Sequence, residues 1–152
     1  MLRLFNRESF PMRSFVFPAL AAGLFAAFPA FADEAWDSDA GQVIYAEDLD
    51  THAVLLLTQA DGIERRFFIR DLAGNYDDRT GWFDGYWVAS NMPGKTTGDP
   101  CPFSIIAANG EAYETWGRVV VTFDSPAFPS GFTALSGMCL ETPAEEWTAS
   151  LR

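Results

Sequence analysis

Short runs of alternating or continuous apolar residues, cut by Gly, Pro, Asn and Asp, make up the chain beyond residue 33. Runs of this length with dense turn residues predict strands rather than helices. In order they are 42–46, 52–59, 63–70, 82–89, 101–108, 113–123, 132–139 and, as a candidate eighth, 146–151. Asp61-Gly62 marks a tight turn between the second and third, and Asn109-Gly110 is the strongest hairpin dipeptide present. Val119, Val121 and Phe123 fall on one face of the sixth run. No stretch in this part keeps a 3.6-residue period over three turns. Val, Ile, Phe, Tyr and Trp dominate the runs, as a half-buried pleated surface requires. The pattern predicts an all-β fold, a small antiparallel barrel or sandwich of about 7–8 strands, with segments 71–81 and 91–100 as its least regular loops.

The first 32 residues are different. Arg3, Arg7 and Arg13 precede an uncharged apolar run that closes on Ala30-Phe31-Ala32, with Asp33-Glu34 immediately after. This is the order of a cleavable secretory signal peptide. The run is shorter than a bilayer span and carries Pro18 and Pro29. The expected organisation is a signal peptide over 1–32, with a possible start at Met12, and one exported domain over 33–152. Its destination is the periplasm or the medium, without membrane insertion after cleavage.

Charge then narrows the partners. The chain holds 10 basic and 21 acidic residues; the leader takes three Arg and Glu8, leaving seven basic and 20 acidic residues in the exported 120, a net charge of −13. Such a domain repels nucleic acid and anionic lipid. Cys101 and Cys139 are the only cysteines, and in an oxidising compartment they predict one disulfide. No CxxC occurs, so a redox-active dithiol is not expected.

The candidate binding chemistry lies in the segment from Leu72 to Asp84. Asn75, Asp77, Asp78 and Asp84 could offer oxygens to Ca²⁺, although the spacing is not that of an EF-hand. Alternatively Arg79 pairs with a carboxylate and the segment is a folded turn. A third reading makes Asn75, Tyr76, Asp77, Arg79, Trp82 and Asp84 a surface for a protein partner or small ligand. The five tryptophans, all beyond residue 33, either fill a core or face a sugar, whose apolar side a ring covers while carboxylates accept its hydroxyls. At least three of them are expected in the core. The single histidine, His52, lies in a Val- and Leu-rich run, and no G-x-S-x-G or clustered His/Cys set accompanies it. Lys95 lies in a Pro-Gly-Lys-Thr-Thr-Gly-Asp loop that lacks phosphate-loop spacing. No cofactor is implied. The segment Asp124–Phe132, with Phe128 as a plug for a barrel end, reads as structural.

The combination Leu72-Ala-Gly-Asn-Tyr-Asp77, Trp116-Gly117 and Phe123-Asp124-x-Pro126-Ala-Phe-Pro129 resembles small uncharacterised exported proteins of Gram-negative bacteria. That resemblance implies no activity and carries over no functional residue. Trp116-Gly117 through Phe123, Gly137-x-Cys139 and Glu146-Trp147 are also similar to the later strands of avidin-type barrels. The early Gly-x-Tyr hairpin of that family has no counterpart here. Three functions stay open: a non-enzymatic domain binding a partner or ligand through the 71–84 segment, a carboxylate-dependent hydrolase of envelope glycans, and an inhibitor of a cationic enzyme such as lysozyme.

Overall fold

The computed structural model describes residues 34–75, 77–89, 98–127 and 130–152. The expected signal peptide, Tyr76, Lys95 and Phe128 lie outside these residues.

Among the described residues ten strands form: β1 (Ala35–Ser38), β2 (Gly41–Leu49), β3 (His52–Thr58), β4 (Glu64–Arg70), β5 (Trp82–Ala89), β6 (Ile105–Ile106), β7 (Ala112–Tyr113), β8 (Trp116–Phe123), β9 (Phe132–Met138) and β10 (Glu145–Leu151). Eight of them close an antiparallel barrel in the order β1-β10-β9-β8-β5-β4-β3-β2, and β6 and β7 make a separate hairpin. The barrel is the alternative that the chain adopts. Three details differ from the sequence expectation. The 113–123 run breaks after Tyr113, which belongs to the hairpin, so that β8 begins at Trp116. The short β1, unrecognised in the sequence, closes the ring between β2 and β10. The 101–108 run supplies no barrel strand, since only Ile105 and Ile106 extend, paired with Tyr113 and Ala112.

Period-two alternation separates two faces on every barrel strand. Inward positions include Trp36, Val43, Leu55, Leu57, Phe67, Ile69, Phe83, Trp87, Val119, Val121, Phe123, Phe132 and Trp147, all buried in one cluster. An eight-stranded barrel is just wide enough to be filled by side chains. Here aromatic rings fill it edge to face: Trp36 on Phe132 at 5.3 Å, Phe132 on Trp147 at 5.5 Å and Phe83 on Phe123 at 5.8 Å. Each buried large apolar side chain is worth about 1.5–3 kcal/mol. Gly117 makes the packing possible on β8. A Cβ there would stand 1.9 Å from the Gly137 carbonyl oxygen and 2.5 Å from the Trp87 indole nitrogen.

A second buried cluster lies outside the ring. Val54, Phe68, Val88 and Trp116 project from the outer face of β3, β4, β5 and β8, and Cys101, Ala107 and Tyr113 cover them. The β6–β7 hairpin is therefore a flap packed on the sheet. Its turn is the Asn109-Gly110 dipeptide, with Gly110 at φ 81° and its N–H donating to the Ala107 carbonyl. Gly62, at φ 77°, repeats this arrangement with its N–H on the Gln59 carbonyl between β3 and β4. A left-handed glycine after a type I turn is a standard hairpin closure.

Cys101 and Cys139 form the disulfide, with Cα atoms 5.6 Å apart. It joins the base of the flap to the residue after β9, rather than two barrel strands. The closed loop of 38 residues contributes about 4 kcal/mol by the chain-entropy argument. Among the described residues no helix is long and apolar enough to cross a membrane. That fact and the disulfide are compatible with an extracellular or periplasmic protein.

Candidate functional site

The 71–84 segment divides into a buried half and an exposed half. Arg79 is 1% exposed. Its Nη1 lies 3.2 Å from Glu34 Oε1, its Nε donates to the Asn75 carbonyl at 3.0 Å, and its guanidinium covers the Phe123 ring at 4.7 Å. Leu72 is also fully buried in the barrel cluster. Leu72 and Arg79 thus anchor the loop to the barrel core, and the guanidinium is not available at the surface. The reading in which Arg79 pairs with a carboxylate describes this half, though the partner is Glu34 and not an aspartate of the loop. Burial pushes the Glu34 carboxyl up to about 7 against the opposing pull of Arg79.

Asn75 is engaged in the same turn. Its Nδ2 donates to the Asp78 carbonyl at 2.6 Å and its Oδ1 accepts from the Asp78 N–H. The Asp78 carboxylate accepts from the Thr80 N–H and hydroxyl. Asp77 is exposed on the loop. Among the described residues no three His, Cys, Asp or Glu side chains come close enough to hold a metal ion.

Trp82 and Asp84 belong to a different surface. They alternate on β5 with the inward Phe83, so they stand on the outer face of the barrel together with Tyr86. Trp82 is 72% exposed, whereas the other four tryptophans are buried. Four therefore fill core, three inside the ring and Trp116 beneath the flap, and one faces solvent.

Beside Trp82 the outer face holds a cleft of about 270 Å³ lined by His52, Arg70, Asp84, Gly85, Tyr86, Arg118 and Val119. Strand register brings these polar side chains together from four strands. His52 of β3 stands opposite Arg70 of β4, and Tyr86 of β5 stands opposite Arg118 of β8. Asp84 lies one step beyond the Ile69–Gly85 pair, next to Arg70. Tyr86 forms the floor. Its ring stacks on Phe68 at 5.1 Å and meets His52 at 6.1 Å, and its hydroxyl accepts the Ala108 N–H of the flap at 2.7 Å. Burial holds the Tyr86 phenol above its usual range, while the Ala108 hydrogen bond and the charge of Arg70 act against that. The phenol thus keeps its proton as a donor.

Of the six residues that the sequence singled out for binding, the structure brings Trp82 and Asp84 to this face. It commits Asn75 and Arg79 to the loop's own architecture and leaves Asp77 on an exposed turn. Arg70, Tyr86 and Arg118 are not singled out by the sequence, and His52 stands out there only as the sole histidine. Their signal was present as polar residues at outward positions of otherwise apolar strands, but joining them requires the strand order.

No protein-family model matches the chain, and neither does any curated protein or solved structure.

Proposed function

We propose that this is an exported, non-enzymatic binding domain of the periplasm or medium, which holds an envelope ligand or partner on the outer face of β4, β5 and β8. The observation that carries this reading is Trp82, a large apolar side chain 72% exposed and two residues along the outer face of β5 from Asp84, which lines a polar cleft. Burying such a ring on a ligand recovers hydrophobic free energy that the folded chain leaves unused. The barrel interior is occupied by its own aromatic side chains, which favours the outer face over the lumen. Asp84 keeps the role of contact residue, and the contact surface moves from the 71–84 loop onto the sheet.

The test is retention of the purified protein on an envelope fraction. Trp82→Ala and Asp84→Asn are expected to abolish retention with an unchanged melting temperature, since both side chains are exposed. Undiminished retention of both variants would contradict the reading.

A further inference from the structure

The cleft beside Trp82 has a charge pattern at odds with the rest of the molecule. The chain carries a net charge of −11, yet the cleft is lined by two arginines, Arg70 of β4 and Arg118 of β8, against the one carboxylate of Asp84. Among the described residues neither Arg70 nor Arg118 has a carboxylate within 4.0 Å. Both are exposed at the cleft, so their guanidinium donors are open to a ligand. Tyr86 adds a phenol donor and His52 an imidazole. Guanidinium groups recognise carboxylate and phosphate oxygens through paired, charge-assisted hydrogen bonds.

The remaining features of the same face point to a sugar. Asp84 is an acceptor suited to hydroxyl groups, and Trp82, two residues along the same face of β5, is a platform for an apolar sugar surface. At about 3.3 Å per residue, Trp82 and Tyr86 are separated by roughly 13 Å along the strand. That span exceeds one sugar ring and suits a short oligomer. We infer that this face takes a short acidic saccharide, with its acid group between Arg70 and Arg118 and a neighbouring ring on Trp82.

The inference rests on the outer-face binding proposed above and adds the chemistry of the ligand. The acidic balance of the molecule does not prevent it. At physiological ionic strength charges are screened over about 8 Å, so a small anion responds to the two arginines at the cleft. A long polyanion would also meet the acidic remainder, so the site selects short acidic ligands over polymers such as nucleic acid.

The sole histidine of the chain lines this cleft, which gives a single-site reporter. Untagged protein, purified as the cell produces it, is titrated with trigalacturonate, with maltotriose as its neutral counterpart and with inorganic phosphate, in 0.15 M salt. Calorimetry and the imidazole resonances of His52 are followed. The expected result is that trigalacturonate shifts the His52 resonances and binds at least about tenfold more tightly than maltotriose. Arg70→Gln, Arg118→Gln and Trp82→Ala should each weaken it by about tenfold or more, with melting temperatures unchanged. Equal binding of the neutral trimer, binding of phosphate but not of the saccharide, or indifference to both arginine substitutions would overturn the inference. So would failure of trigalacturonate to bind while retention on the envelope fraction persists and still depends on Trp82; that pattern leaves the outer-face reading standing.

Discussion

At the scale of single residues, the sharpest division is between arginines that serve the fold and arginines that face solvent. Arg79 and Glu34 are buried against each other, with side chains 0% and 2% exposed. Breaking a buried ion pair by removing one partner leaves an uncompensated group and costs about 3–5 kcal/mol. Arg79→Met is therefore expected to lower the unfolding free energy by that amount in urea titrations above pH 7, where Glu34 is ionised. Glu34 adds a pH dependence. Its carboxyl is raised from 4.5 to about 7 by burial, so the folded state binds a proton that the unfolded state has released across that window. The stabilisation is complete below pH 4.5 and is lost as pH rises through about 7, by at most roughly 3 kcal/mol. Glu34→Gln should flatten the stability profile between those values, and an unchanged slope would contradict the assignment. Gly117 is a third residue with a definite role. An alanine Cβ would overlap the Gly137 carbonyl and the Trp87 indole, so Gly117→Ala is expected to cost about 1–3 kcal/mol through overpacking, measurable in the same titration.

At the scale of elements, the alternation of apolar and polar residues made β3, β4, β5, β8 and β9 legible almost to their ends. The expected count of seven or eight strands agrees with the eight of the barrel through two offsetting departures. β1, Ala-Trp-Asp-Ser, is four residues long and offers too little pattern to read, although its Trp36 is fully buried. The Ile105-Ile106-Ala107 stretch looks like a buried strand by composition. In the fold Ile106 is 78% exposed, Ile105 is only partly buried, and Ala107 is the residue of the three that is buried against the sheet. Composition reports what could be buried, and pairing decides what is. The cysteine pairing was readable from number and compartment alone, but its role in pinning a flap was not. Replacing both cysteines by serine should cost about 4 kcal/mol and should speed amide exchange at Ala108, whose N–H binds Tyr86. Protection at Ala108 equal to that of the disulfide-bonded protein would show that the flap holds without its tether.

At the scale of the whole molecule, the barrel spends its interior on its own aromatic core and presents chemistry on the outside. The candidate site was half visible in the sequence. Trp82 and Asp84 stood out because they fall in a segment dense in Tyr, Trp, Arg and Asp. Arg70, Tyr86 and Arg118 did not, because they are scattered over residues 70–118 and meet only through the register of β4, β5 and β8. His52 stands out as the sole histidine, but the sequence holds no partners for a catalytic role and does not show the cleft that it lines. The measurement that tests the account most directly is amide and side-chain shift mapping of the labelled protein as an envelope fraction, and then trigalacturonate, is added. Binding on the outer face predicts perturbations at Arg70, Trp82, Asp84, Tyr86 and Arg118 and at the His52 imidazole, with Trp36, Phe132 and Trp147 unmoved. Perturbations gathered on those three interior aromatics, with the outer face silent, would contradict it.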